Sequence, residues 1–203
     1  TFFEWGLKYA NREKAVNDKV FYLGYKRNLD KKSNSNKISK LVNILSDKFV
    51  VIFIGTFGHY HNPSILVDCA SRLNNDNIQF VIAGDGEFYN EVNKKASSLR
   101  NVILTGWLNQ VEINTLLQYS HVGICPTLHS IDLFPNKAFT YLSAGLPVIS
   151  AFQGDLKGFL FGYGLRAHRS VLIPYLQDLY DKHQKGFIAE EPVRAQSFNA
   201  LLV

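Results

Sequence analysis

FVVIFIGTFGHYHNPSILVDCASRLNNDNIQFVIAGDG, residues 49–86, is the segment that decides the fold of this chain. Two continuous apolar runs, 49–55 and 78–84, flank a stretch (62–73) whose apolar residues recur at three- and four-residue spacings. Continuous apolar runs are typical of strands that are covered on both faces, and the spacing is typical of an amphipathic helix. The segment therefore predicts a β–α–β unit with two parallel strands.

The same alternation continues to residue 150. Further strands are predicted at NVILTG (101–106), HVGICP (121–126) and LPVIS (146–150), and further helices at 88–99, 110–120 and 136–145. The loops between them are short and rich in Gly, Asp, Asn and Pro, as tight turns in α/β proteins require. We therefore predict an α/β fold with a Rossmann-like parallel sheet flanked by helices.

The regions on either side of this core have a different composition. Residues 25–40 are basic and rich in Ser and Asn, which predicts a linker leading into a helix that ends near Asp47. Residues 154–170 predict a Gly- and aromatic-rich loop, followed by a helix at 171–185 with Pro174 in its first turn. The last fifteen or so residues give no assignment.

Composition limits the classes of partner. The net charge of +5 and the pI of about 9.1 favour anionic partners, which include sugar nucleotides, lipid head groups and nucleic acid. The chain has neither an eighteen-residue apolar stretch nor a signal-like start, so we expect a soluble intracellular chain. Cys69 and Cys125 lie in apolar segments and are predicted to be buried free thiols. The absence of methionine suggests either a piece excised from a longer protein or modified methionines that the printed sequence omits.

Glycine-rich turns follow two of the predicted strands. Gly55 and Gly58 follow the first strand, and Gly84 and Gly86 flank Asp85 after the second. In open α/β sheets the ligand lies outside the carboxyl ends of the strands, where glycine allows close backbone approach. One such pair alone is more often a simple turn, but their recurrence predicts a crevice that accepts phosphate.

The stretch SIDLFPNKAFTYLSAGLPVIS (130–150) places a lysine at the start of a helix. Lys137 and the free N–H groups after Pro135 would face the same anion, which suits a diphosphate. The alternative is a solvated lysine beside an N-capping Asn136, and the isolated motif favours neither.

The predicted strands, the glycine-rich turns and the 130–150 stretch, taken in order over residues 49–160, resemble the C-terminal, donor-binding domain of GT-B glycosyltransferases. The resemblance is strongest to the large retaining family that includes bacterial capsule and lipopolysaccharide transferases. It implies the C-terminal half of a GT-B fold, with an N-terminal domain that binds the acceptor. It divides the chain into the tail of that domain or a crossover segment (1–25), a basic linker and helix (26–47), a nucleotide-sugar-binding domain (48–165) and a C-terminal helix and tail (166–203).

The family carries two acidic residues, with seven residues between them, near the transferred sugar and the ribose. The matching positions here are Asp132, which keeps a carboxylate, and Thr140, which offers only a hydroxyl. Thr56 and His61 stand where many members have Arg and Lys beside the diphosphate, so diphosphate binding is expected to depend on Lys137 and backbone amides.

The resemblance thus implies a set of site residues. Asp132 and Lys137 are the expected catalytic residues. The expected donor-binding residues are Gly55, Thr56, Phe57, Gly58, His61, Gly84, Asp85, Gly86, Trp107, Leu108, Thr127, Phe134, Pro135, Asn136 and Thr140, with Trp107 and Leu108 beside the nucleobase. The histidines lack the spacing of metal ligands, so we expect no metal site, and the donor is a substrate rather than a cofactor.

The expected activity is transfer of a sugar from a nucleoside-diphosphate sugar, with UDP favoured, to a glycan or lipid-linked acceptor in surface polysaccharide synthesis. The expected location is the cytoplasm, with peripheral contact at the inner face of the membrane as a conjecture. Nucleic acid is not expected, because the basic run lacks interleaved aromatic residues. The chain alone is expected to be incomplete and inactive. A GT-B sugar-nucleotide epimerase and a non-catalytic scaffold remain as alternatives.

Overall fold

The computed structural model describes residues 2–19, 33, 35–73, 75–126, 135–150 and 169–185. The described strands are β1 (Phe49–Ile54), β2 (Ile78–Ala83), β3 (Val102–Gly106), β4 (Val122–Cys125) and β5 (Val148–Ser150). The described helices are α1 (Phe2–Tyr9), α2 (Asn36–Leu45), α3 (Ser64–Leu73), α4 (Tyr89–Ala96), α5 (Gln110–Gln118), α6 (Asn136–Ser143) and α7 (Arg169–Gln184).

The five strands form one parallel sheet in the order β3-β2-β1-β4-β5. This confirms the Rossmann-like α/β fold. The chain builds the sheet to one side of β1 through β2 and β3, and then crosses over to β4 on the other side. In such sheets the ligand crevice lies at this switch point, outside the carboxyl ends of the strands. The topology therefore directs attention to the space beyond the ends of β1 and β4.

Both faces of β1 are buried. Phe49, Val51 and Phe53 face a core that includes residues of α3, α4 and α7, whereas Val50 and Ile52 face a second core with residues of α2, α5 and α6. Successive side chains of a strand point to opposite faces, so a strand between two helical layers must be apolar throughout. This explains the continuous apolar run that predicted β1.

Helix α2 starts earlier than expected. Residues 36–40, which we predicted as part of a linker, are helical, and the Ser35 hydroxyl caps the helix by accepting a hydrogen bond from the Ile38 amide (3.3 Å). Ile38, Leu41 and Leu45 are buried against the sheet. The prediction of a linker to residue 40 is wrong because apolar residues at helical spacing outweigh the polar composition.

Two other differences concern the ends of the chain. Helix α7 begins at Arg169, so Pro174 is the sixth residue of the helix, and the prediction that it lies in the first turn is wrong. Proline has no N–H, and a helix interior therefore loses one hydrogen bond there. Helix α1 was not predicted from sequence. Most of the predicted loop at 154–170, and the tail after residue 185, lie outside the described residues.

Both cysteines are buried and free, as predicted. Within the described ranges, no helix has the length and apolar character needed to cross a membrane. The same ranges contain no cluster of three or more His, Cys, Asp or Glu side chains that could hold a metal ion.

Candidate functional site

The loops that follow β1 and β2 are joined by backbone hydrogen bonds. The Gly55 amide donates to the Ala83 carbonyl (3.0 Å), and the Phe57 amide donates to the Asp85 carbonyl (2.9 Å). Gly84 has a φ of +144°, and a Cβ at this position would lie 1.8 Å from the Gly55 carbonyl oxygen. The close approach of the two loops therefore requires glycine at 84, which gives one of the predicted phosphate-loop glycines a packing role.

Lys137 lies at the switch point. It is the second residue of α6, and its Nζ lies 4.2 Å from the centroid of the Phe53 ring. A Cβ on Gly55 would lie 2.7 Å from the same Nζ, so the lysine occupies space that only glycine leaves open. The Nζ is buried, and the described residues provide no hydrogen-bond acceptor for it. The end of β1 thus holds a cation against an aromatic face without a counter-charge from the described residues.

Burial shifts the titration of the groups around this amine. Loss of water lowers the pKa of Lys137 to about 8, against an opposing effect of the nearby Cys125. Burial, together with the charge on Lys137, lowers the pKa of His61 to about 4, although a hydrogen bond with the Pro126 backbone opposes the shift. At neutral pH His61 is therefore a neutral imidazole, and Lys137 is the cation of the pair.

Tyr141 joins the ends of β1 and β4 to α6, one turn beyond Lys137. Its hydroxyl accepts a hydrogen bond from the Ile54 amide (2.8 Å) and donates one to the Ile124 carbonyl (3.3 Å). The ring is fully buried, and a Cβ on Gly123 would lie 2.3 Å from it. These contacts fix the rotation of α6 and with it the direction of Lys137.

No described side chain caps the start of α6, where Pro135 is the N-cap residue. The Ala138 amide donates to the Pro135 carbonyl (2.9 Å), which leaves the amides of Asn136 and Lys137 at the positive end of the helix. Asn136 is the first helical residue and is exposed, so it is not the N-cap that the alternative interpretation required.

The remaining predicted residues of the β1 and β2 turns differ in exposure. Thr56 and Asp85 are exposed, and the Asp85 carboxylate accepts a hydrogen bond from the Gly86 amide (2.7 Å). Phe57 is fully buried and packs on Phe53, with ring centroids 5.9 Å apart. Contacts from Phe57 to a ligand would therefore have to come from its backbone. Gly58 and His61 are half-buried in the same turn.

The predicted site residues outside the β1 and β2 turns do not all lie near the end of β1. Trp107 is 72% exposed at the end of β3, two strands from β1, and Leu108 is buried in the core. Thr140 is half-buried on α6. Thr127, Asp132 and Phe134 lie outside the described residues.

Sequence reasoning missed Phe53 and Tyr141. Tyr141 follows Lys137 by four residues, a spacing that places both on one side of a helix. Phe53 gave no comparable signal, because it reads as an ordinary core residue of β1.

Comparisons with protein families and with solved structures both identify similar proteins. The model of the family described as glycosyl transferases group 1 matches residues 48–160. Anabaena HepE in complex with UDP is similar, with a TM-score of 0.72 at 18% identity over 98% of this chain and 56% of that chain. The C-terminal domain of a group 1 glycosyl transferase (LpcC) from Francisella tularensis is similar with a TM-score of 0.62, at 12% identity over 88% of this chain and 97% of that domain. Comparison with curated proteins gives no match.

The chain spans about half the length of HepE, with 52% covered in the complex of that protein with UDP and glucose. At these identities the solved structures establish the fold, whereas the family model covers more than half of the chain. The chain therefore belongs to the glycosyl transferases group 1 family, with the fold of the C-terminal half of a GT-B enzyme.

Proposed function

We propose that this chain is the donor-binding part of a glycosyltransferase that takes its sugar from a UDP-sugar. The acceptor is a glycan or a lipid-linked sugar in surface polysaccharide synthesis, such as that of capsule or lipopolysaccharide. Residues 48–165 form the nucleotide-sugar-binding domain, and a separate N-terminal GT-B domain holds the acceptor. The family match supports this proposal, as does the similarity to HepE in complex with UDP-glucose. The net charge of +5 is compatible with work at the cytoplasmic face of the membrane.

One observation carries the proposal: the buried Lys137 ammonium lacks an acceptor among the described residues and belongs to the first turn of α6, whose start no described side chain caps. A diphosphate would bring several charged oxygens to this point. One oxygen would accept from Nζ, and others would accept from the amides of Asn136 and Lys137. The chemistry of this site thus fits a nucleoside diphosphate better than a neutral ligand.

In the proposed reaction the bond between the anomeric carbon and the diphosphate oxygen breaks. A new bond joins the anomeric carbon to the acceptor hydroxyl oxygen, and the hydroxyl proton passes to the leaving group or to solvent. Negative charge grows on the departing diphosphate, and Lys137 is proposed to neutralise it. In this proposal Asp132 lies beside the transferred sugar, and Thr140 contacts the ribose.

Titration of the 203-residue chain with UDP, GDP and ADP, followed by calorimetry, tests this function. We expect UDP to bind and Lys137→Ala to weaken binding by roughly ten-fold or more, because a charge-assisted contact is lost. Lys95→Ala is the matched control, since Lys95 is partly exposed on α4 and pairs with Glu91 (3.4 Å). The proposal fails if none of the three nucleotides binds, or if the two variants bind alike. Failure of all three nucleotides to bind would favour a non-catalytic scaffold.

A further inference from the structure

The amine of Lys137 lies in a niche that we call the Lys137 seat, formed by Phe53 and Gly55. The Phe53 ring lies 4.2 Å from Nζ, and Gly55 leaves the space that a Cβ would fill at 2.7 Å. Cys125 is fully buried and close enough for the charge on the lysine to affect its thiol. An aromatic face and a glycine backbone therefore lie against the buried amine, and a neutral thiol is near enough to feel its charge.

This seat is a poor environment for a charge. A buried ammonium loses its water shell, and here no hydrogen bond from the described residues replaces it. The aromatic face offsets only part of this loss. The positive end of α6 opposes a second positive charge in its first turn. These effects agree with the lowered pKa of Lys137, which burial brings to about 8.

The ionisable groups that face the amine do not titrate near that pH. From β4, the Cys125 thiol has its pKa raised to about 12 by burial, although Lys137 opposes this shift. From the loop after β1, His61 has its pKa lowered to about 4 by burial and by Lys137. From α6 itself, burial raises the pKa of Tyr141 well above its ordinary value. Between pH 7 and pH 9.5 Lys137 is therefore the group that changes its charge within this described cluster.

We propose that the chain takes up a proton at the Lys137 amine when a nucleoside diphosphate binds under alkaline conditions, because the described residues of the Lys137 seat offer the ammonium no acceptor and the diphosphate brings several. The proton comes from solvent and bonds to the lone pair of the amine nitrogen, and no other bond changes. This inference rests on the proposed function and adds that donor binding depends on pH.

The sign of the dependence follows from linkage. Well below pH 8 the amine already carries its proton, and the affinity for UDP does not depend on pH. Above pH 8 binding must first protonate the amine, so the affinity falls by about ten-fold between pH 7 and pH 9. The terminal phosphate of UDP is already ionised in this range, because such phosphates titrate near pH ~6. The phosphates of the nucleotide therefore add no pH dependence in this range.

Nuclear magnetic resonance on the 203-residue chain, labelled with ¹³C at lysine Cε, tests the inference directly. The signal of Lys137 is identified by its absence in Lys137→Arg, and backbone amide shifts report UDP binding at each pH. We expect the Lys137 titration to move upward by at least about one pH unit when UDP saturates the chain. The affinity of Lys137→Arg is expected to stay constant from pH 7 to pH 9, because a guanidinium keeps its charge.

Lys95→Arg is the matched control and is expected to keep the pH dependence of the parent chain. The inference alone is overturned if UDP shifts the amides but leaves the Lys137 titration unchanged. The proposed function, and the inference with it, is overturned if UDP shifts no amide at any pH. The titration of the unsubstituted chain decides between these results even if an arginine does not fit the seat.

Discussion

At the scale of single residues, Lys137 combines a proposed role in binding with a cost to stability. Its amine is buried over Phe53, and the described residues supply no acceptor. A buried charge without a partner opposes folding, whereas the same charge in contact with a diphosphate favours binding. Removal of the charge at position 137 should therefore increase stability and weaken binding.

We predict that Lys137→Met stabilises the chain at pH 7 and loses this advantage toward pH 10.5. Burial lowers the pKa of Lys137 from 10.5 to about 8, and a shift of this size corresponds to about 3 kcal/mol. Between pH 8 and 10.5 the unfolded state binds more protons than the folded state, so the stability of the parent chain rises with pH. Urea denaturation at pH 7 and pH 10 measures the difference, with Lys95→Met as the control. An equal difference at both pH values would contradict the prediction.

Gly55→Ala should reduce both stability and UDP binding. Gly55 has a φ of +149°, and an added Cβ would lie 2.7 Å from the Lys137 Nζ. This backbone conformation costs a non-glycine residue about 1–3 kcal/mol, and the amine would also have to move. Gly6→Ala is the control, since Gly6 lies on α1 outside the proposed site and a Cβ there meets nothing within 4 Å. Thermal denaturation and UDP titration check the result, and equal behaviour of the two variants would be evidence against the seat.

At the scale of elements, α5 and α6 differ at their starts. Asn109 caps α5 by accepting hydrogen bonds from the amides of Val111 and Glu112, and the Glu112 carboxylate accepts one from the Asn109 amide in return (3.0 Å each). Helix α6 starts after Pro135 without any side-chain cap from the described residues. Amides that are already capped cannot bind an anion, so among the described residues it is the start of α6, not that of α5, that has amides without a side-chain acceptor.

We predict that Tyr141→Phe lowers the free energy of unfolding by about 1–3 kcal/mol, because it leaves the partly buried Ile54 amide without its side-chain acceptor. UDP binding should weaken as well, since the hydroxyl ties α6 to β1 and β4. Tyr119→Phe, at the end of α5, is the control, and denaturation with UDP titration measures both effects. A stability change no larger than that of the control would exclude the linking role.

At the scale of the whole molecule, the core extends to the two helices next to the proposed 48–165 domain. Ile38 of α2 and Leu176 of α7 are both fully buried, each in one of the two cores that cover the sheet. Helix α7 packs on α3, and α2 packs on α5. Both flanking helices therefore contribute apolar contacts to the same sheet.

Leu176→Ala is accordingly expected to destabilise the chain by about 2–5 kcal/mol, the usual cost of a cavity at a buried leucine. The neighbouring Gln177→Ala should change stability by no more than about 1 kcal/mol, because its side chain pairs with Asp181 in an exposed hydrogen bond (2.9 Å). Urea denaturation followed by circular dichroism compares the two. An unchanged transition in Leu176→Ala would show that α7 does not share the core in solution.

The sequence by itself determined the parallel α/β fold, the buried cysteines and the combination of Pro135 with Lys137, because periodicity and turn chemistry are local properties of the chain. It did not determine the strand order that puts β1 beside β4, the burial of the Lys137 amine or the link from Tyr141 to Ile54, a residue 87 positions away. These features were decided only by tertiary structure. Loss of water around a charge depends on which distant segments pack against it, and no spacing along the chain encodes that.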